Sequence, residues 1–297
     1  MRKRKKYEVY DTGFPFSEII ALNINDCLEE IEKRKASLVI IDGKMGEGKT
    51  TLAYQLGQHI ERYYKKKKGE SFYDPLYFNL KNQIGMGGVK FKEKLEICRN
   101  EQLKVVIYDE AGDFSKRSAL SNFNHELNRI FQTFRTYKVL IIICLPYFNI
   151  LDNNLFDEGV PKLLLNLHGR NEKEGRIRGY GYDEMLWLRY YMSQEKVKKQ
   201  KCYKRVTPNF RGKFVDLPSD LSIELDKYST EGKAEILNKS ILSDSDLLPY
   251  KEIAKKVKMS IPWVKNKVSI LKIKEIKKYK RSKYFDSSII ECLNDLK

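Results

Sequence analysis

The sequence predicts an α/β protein built on a mostly parallel central sheet, followed by a small C-terminal helical unit. Short β-branched apolar runs alternate with longer amphipathic segments from Ser37 to about Leu167. A glycine-rich turn, "GKMGEGKT", joins one such run to one such segment. Past Pro249 the pattern changes to two short helical stretches and a strongly basic one.

Strands are predicted at Leu38 to Asp42, Leu76 to Asn79, Lys104 to Asp109, Val139 to Cys144 and Leu163 to Leu167. Most are continuous apolar runs, the signature of strands covered on both faces. Helices fill the gaps, roughly Lys49 to Lys65, Lys90 to Arg99 and Asn122 to Thr136; the first carries Leu52, Leu56 and Ile60 along one face. Then "HGRNEKEGRIRGYGYDEMLWLRYYM" reads as a turn, a strand and a helix carrying Met185, Trp187, Leu188 and Tyr191. The basic "KVKKQKCYKRVTPNFRGKFVDLP", broken by Pro208 and Gly212, reads as a surface extension. The expected organisation is an N-terminal extension (1–36), an α/β domain (37–192), a basic extension and connector (193–245) and a C-terminal domain (246–297), with no internal repeat.

At 297 residues, 41% hydrophobic, the chain is long enough for one sizeable core and a small second domain. Lys and Arg outnumber Asp and Glu by 57 to 40, and the net charge of +17 points to a polyanion, nucleic acid before membrane. Lysine richness that serves solubility alone is the alternative, and the location of the charge decides between them. Cys27, Cys98, Cys144, Cys202 and Cys292 lie far apart without C-x-x-C spacing, which excludes a zinc module and a disulfide framework and fits a reducing cytoplasm. His59, His125 and His168 are too scattered for a metal site. The basic N-terminus leads into no apolar segment, and the longest apolar stretch, Val139 to Leu145, is too short to span a bilayer, so no membrane insertion is expected.

"GKMGEGKT" satisfies G-x-x-x-x-G-K-[ST], and it stands in the right context, after the strand "LVIID" and before an amphipathic helix. A polyphosphate bound by backbone N–H groups needs a loop that wraps closely, and Gly43, Gly46 and Gly48 permit that approach. Lys44, Met45, Glu47 and Thr51 complete the segment, whose amides and helix N-terminus face the phosphates. Lys49 is expected to reach the β- and γ-phosphates of ATP, and Thr50 to offer its hydroxyl to Mg²⁺. A phosphate loop of this kind requires an acidic site on another strand, and "LKVVIYDEAGDF" supplies it. Asp109 is the expected outer-shell magnesium residue, and Glu110 the base that polarises water, which indicates hydrolysis.

These motifs, with "ELNRIFQTFRTYKVLIIICLP", resemble the additional-strand, catalytic-glutamate branch of P-loop ATPases, and within it the HerA/FtsK type of DNA translocase. Assembly or packaging ATPases of viruses and mobile elements are equally compatible. The resemblance covers about Leu38 to Arg170 and implies a P-loop NTPase three-layer fold with sheet order 5-1-4-3-2. It also implies a homo-oligomeric ring, such as a hexamer, in which an arginine completes a neighbour's site. Arg129, Arg135, before the fourth strand, and Arg170, expected at a sheet edge, are the candidates, with Arg135 and Arg170 preferred. One departure stands out: members commonly carry a polar sensor before the proline that ends strand four, whereas here Cys144 and Leu145 precede Pro146, with Asn149 as a substitute.

In the C-terminal segment, Ile253, Ala254 and Val257 form a short apolar face, "KMS" a turn, and Ile261, Val264, Val268 and Leu271 a second face, with Ser260 as N-cap and Pro262 in the first turn. That pattern predicts a helix-turn-helix. With "RSKYF" after a basic hairpin it resembles winged helix-turn-helix domains, MerR-like ones included. Trp263, Lys265, Asn266 and Lys267 are expected at a DNA groove, and Lys277, Lys278, Lys280, Arg281 and Lys283 on a wing against phosphates. The leading expectation is therefore an ATPase acting on double-stranded DNA as a translocase or packaging engine. A DNA-binding replication or transcription regulator using ATP as an assembly switch is the alternative, and an assembly ATPase acting on protein the third.

Overall fold

Apolar strands that are buried on both faces must lie side by side between helical layers. The computed structural model, which describes residues 16–33, 37–69, 78–109, 129–131, 138–171, 174–194, 199–241, 247–271, 277–279, 282–286 and 289–294, arranges them so. The chain divides into two units, Met1–Lys233 and Ala234–Lys297.

The first unit is built on seven strands: β1 (Leu38–Asp42), β2 (Ile84–Met86), β3 (Val105–Asp109), β4 (Leu140–Leu145), β5 (Pro161–Arg170), β6 (Glu174–Tyr180) and β7 (Phe210–Val215), in the order β2-β3-β4-β1-β5-β6-β7. The first five are parallel and follow the expected 5-1-4-3-2 order, which is a P-loop NTPase-like fold. β6 and β7 continue the sheet antiparallel to β5.

Alternation along each strand sends side chains to two different cores. Val39 and Ile41 face α1 (Glu18–Glu32) and α2 (Lys49–Lys67), packing with Ile24, Leu28, Leu56 and Ile60. Leu38 and Ile40 face the other layer, where Phe91 and Leu95 of α4 (Gly88–Asn100) meet Phe156 of α5 (Asn153–Asp157) and Met185 and Leu188 of α6 (Tyr182–Gln194). A short α3 (Leu80–Gln83) precedes β2, and α7 (Ser219–Ile241) follows β7.

The second strand lies at 84–86, not at the predicted 76–79. Residues 70–77 fall outside the described set, while Phe78 and Asn79 are not in a strand. Of the helix predicted at 122–136, only 129–131 are described, and they are helical. Residues 18–32, read as part of an N-terminal extension, form α1 and bury Ile20, Ile24 and Leu28. The stretch read as a surface extension supplies β7, with Phe214 buried, and the buried Cys202 and Tyr203 of a 3-10 segment, Lys199–Lys204.

The second unit contains β8 (Leu247–Pro249), α8 (Tyr250–Lys256), α9 (Ile261–Ile270), β9 (Lys277–Tyr279), β10 (Ser282–Asp286) and α10 (Ile289–Asn294). Its antiparallel sheet has the order β8-β10-β9, and Leu248, Ile253, Val257, Val264, Val268 and Phe285 form its own core. Ser260 caps α9 as expected, its hydroxyl accepting the Trp263 N–H at 3.4 Å. The predicted apolar face is narrower than expected: Val264 and Val268 are buried, but Ile261 and Leu271 are exposed.

Candidate functional site

β1 ends in Asp42 and α2 begins at Lys49, so Gly43–Gly48 form a loop over the carboxyl end of the sheet. Gly46 and Gly48 adopt positive φ, 80° and 87°, which side chains with a Cβ rarely accept. At Gly48 a Cβ would also meet the Arg170 guanidinium and the Phe214 ring, so glycine is required there twice over. Lys49 folds back across the loop, its Nζ donating to Gly43 O at 2.9 Å and Lys44 O at 3.0 Å. The Glu47 carboxylate accepts the Lys44 N–H at 2.7 Å. Met45 is almost fully exposed, and Thr51 lies in the first turn of α2.

Thr50 Oγ1 donates to Asp109 Oδ2 at 2.8 Å, across 59 residues of chain. Parallel pairing explains the meeting, because β3 and β1 both flank β4 and all three end at the same side of the sheet. A hydroxyl oxygen and a carboxylate oxygen at the mouth of a glycine loop form a hard donor pair that suits Mg²⁺. Among the described residues no group of three or more His, Cys, Asp or Glu could hold a metal ion.

Asp42, fully buried, ties three segments together. Its Oδ1 accepts from Asn166 Nδ2 at 2.9 Å, and its Oδ2 accepts the Phe148 N–H at 3.1 Å and the Tyr203 hydroxyl. Burial pushes its carboxyl up to about 6, against these hydrogen bonds and the Lys49 charge. Tyr203, buried beside it, is held well above its ordinary value. Next to this cluster a cavity of about 330 Å³ is lined by Gly43, Lys44, Glu47, His168, Arg178 and Lys204 among others. Burial, with Arg178 alongside, lowers the His168 imidazole.

The structure thus gathers the 43–51 loop and Asp109 into one site. Glu110, Arg135, Lys280 and Arg281 lie outside the described residues. Arg170 does not stand at a sheet edge, since β5 is flanked by β1 and β6. Its guanidinium pairs with Asp216 and lies against Gly48 of its own chain. Asn149 sits in a 3-10 turn, Phe148–Ile150, and its buried Oδ1 has no hydrogen-bond partner among the described residues. Cys144 is the register partner of Asp109 and is fully buried.

In the second unit Lys265 and Asn266 are exposed on α9. Trp263, expected at the groove, is half-buried and packs against the unit's own core, with Lys267 Nζ over its ring at 5.7 Å. Lys265 Nζ lies over the Tyr250 ring at 5.8 Å. Lys277, Lys278 and Lys283 fall on β9 and β10.

Sequence reasoning missed Asp42, Asn166, Arg178 and Tyr203. An acid ending the apolar run "LVIID" was the one local sign. The others come from β5, β6 and a 3-10 segment up to 161 residues away.

No family model matches the chain, and no curated protein does. Among solved structures the chain is similar to a KaiC-like protein from the hyperthermophilic archaeon Pyrococcus horikoshii OT3, at 14% identity and a TM-score of 0.30 over 50% of this chain and 79% of that one. It is also similar to a DNA replication initiation factor, at 14% identity and a TM-score of 0.30 over 97% of this chain and 79% of that one. Both likenesses are distant, and neither bears on what this chain does. Among the described residues no helix is long and apolar enough to cross a membrane.

Proposed function

We propose that the chain is a magnesium-dependent ATPase that acts on double-stranded DNA as a translocase or packaging engine of the HerA/FtsK type. The observation that carries the hydrolytic half is the 2.8 Å contact between Thr50 and Asp109 beside the Lys49 loop. It brings together the hydroxyl, the acid and the cation that a bound Mg·ATP needs. In this reading the amides of 43–51 would hold the phosphates, Lys49 would turn from its two loop carbonyls to β- and γ-phosphate oxygens, and Thr50 with Asp109 would hold Mg²⁺. The metal, when bound, neutralises charge on the β- and γ-oxygens. Glu110, directly after Asp109, polarises the attacking water.

The DNA half rests on the second unit, read as a winged helix-turn-helix. Lys265 and Asn266 on the exposed side of α9 face the duplex, and the β9–β10 hairpin with Lys277, Lys278, Lys280, Arg281 and Lys283 meets phosphates. Trp263, turned toward its own core, supports the helix, with Lys267 stacked on it. A motor reading calls for a homo-oligomeric ring, in which Arg135 is the arginine offered to a neighbour. Arg170, engaged with Asp216 and lying against its own loop, braces Gly48.

Steady-state ATP turnover measured on duplexes of increasing length tests the proposal. Stimulation that grows with DNA length, lost in Lys49→Ala protein that still binds DNA, is expected. A site-specific footprint with little turnover marks an ATP-switched regulator instead, and indifference to DNA marks an assembly ATPase.

A further inference from the structure

The register of the sheet delivers Arg178 to the phosphate loop from a strand outside the five-strand parallel set. Asp42 pairs with Asn166 across β1 and β5, Asn166 with Arg178 across β5 and β6, and Arg178 with Arg211 across β6 and β7. Residues in register on adjacent strands share a face, so Arg178 stands on the Asp42 face about 10 Å away at the usual strand spacing. There it lines the 330 Å³ cavity that Gly43 and Lys44 also line.

Its charge is poorly compensated from within the described residues. Asp42 is already engaged by Asn166, Phe148 and Tyr203. Glu47, the acid among the cavity's lining residues, is held by the Lys44 amide. The ion pairs of the described residues do not include Arg178, which hydrogen-bonds the Tyr180 hydroxyl. Directly opposite it on β7 stands Arg211, a like charge, an arrangement that destabilises an antiparallel pair. A half-buried guanidinium that lines a cavity, with a second, exposed one beside it on the next strand, is stabilised when an anion enters that cavity. On the ATPase reading, the glycine loop lining the same cavity presents one.

We propose that Arg178 is a catalytic cation supplied in cis: it contacts the terminal phosphate of the nucleotide held by its own chain's loop. The inference rests on the ATPase reading and adds to it a charge-stabilising group independent of any neighbouring subunit. In the hydrolysis it serves, the water oxygen forms the new bond to the γ-phosphorus and the β–γ bridging oxygen departs with the electron pair as ADP. The water proton is released with orthophosphate to solvent. Arg178 forms and breaks no covalent bond; it stabilises charge on the equatorial oxygens.

The test uses full-length Arg178→Ala and Arg178→Lys proteins, with Arg211→Ala as the neighbouring control. Mg·ATP affinity by titration calorimetry is expected to change less than about threefold and thermal melting to stay put, while turnover falls about 100-fold or more in Arg178→Ala. Arg211→Ala is expected to keep its turnover. Mixing Arg178→Ala with Lys49→Ala protein is expected to restore nothing, because each chain needs both residues on itself. If Arg178→Ala melts early, Arg178→Gln, which can still hydrogen-bond Tyr180, carries the same readouts. Wild-type turnover in the Arg178 variants, or recovery on mixing, overturns this inference and leaves the ATPase reading standing. Wild-type protein that neither binds nor hydrolyses Mg·ATP overturns both.

Discussion

Lys49 is held by two carbonyls of the loop it follows, and Thr50 by an acid on a strand two places away in the sheet. Both side chains are therefore fixed by the chain's own groups. If Asp109 serves magnesium as proposed, Asp109→Asn is expected to weaken Mg²⁺-dependent ATP binding by about 10–100-fold, read by titration with and without the metal. Gly48→Ala forces a Cβ into positive φ and against Arg170 and Phe214, with a backbone cost of roughly 1–2 kcal/mol. A lower melting temperature together with lost nucleotide binding is the expected result. Two buried titrating groups give opposite slopes of stability with pH. His59, its Nε2 bonded to Asn25 Oδ1 at 3.1 Å, is lowered by burial to about 4. Its stabilising contribution, up to ~3 kcal/mol, is present above the unfolded value near 6.5 and is lost as pH falls toward 4. Asp42, raised to about 6, contributes below the unfolded carboxylate value and loses that contribution as pH rises through 6. Denaturant titrations across pH 4–7 are expected to show the acid-side loss diminished in His59→Gln and the opposing slope removed in Asp42→Asn.

Among the elements, β7 links the outer sheet to the loop. Phe214 is the register partner of Gly175, and its ring covers that glycine while its far edge borders Gly48. Phe214→Ala is expected to cost about 3–5 kcal/mol by chemical denaturation, as large aromatic truncations in cores do, and to weaken nucleotide binding through the loosened loop. A variant that loses stability but binds nucleotide unchanged counts against the mechanical link. β7 was illegible in the sequence because "FRGKFV" mixes two cations and a glycine with only three apolar residues, and its two phenylalanines are register partners of glycines on β6. β2 was missed for a different reason. Three residues with a glycine at the centre make no periodic signal, and Gly85 is needed because the Phe91 backbone approaches it closely. The four long parallel strands were legible because each is a run of apolar residues with its own length, independent of partners.

At the scale of the molecule, each unit has its own core. The loop and Asp109 were legible as motifs because their spacing is local and their partner strand is apolar. The Asp42 cluster and Arg178 were not, since register between distant strands brings them together and one sequence does not print it. If the second unit neutralises six or so phosphates, affinity for duplex DNA falls about a thousandfold between 50 and 200 mM salt; a flat response removes the unit as the contact. Calorimetric titration of Mg·ATP and of metal-free ATP into wild-type and Thr50→Val proteins tests the central claim most directly. Saturable binding strengthened by Mg²⁺ in the wild type, with that strengthening lost in Thr50→Val, is the predicted result. Equal binding of both ligands to both proteins, or none to the wild type, contradicts it.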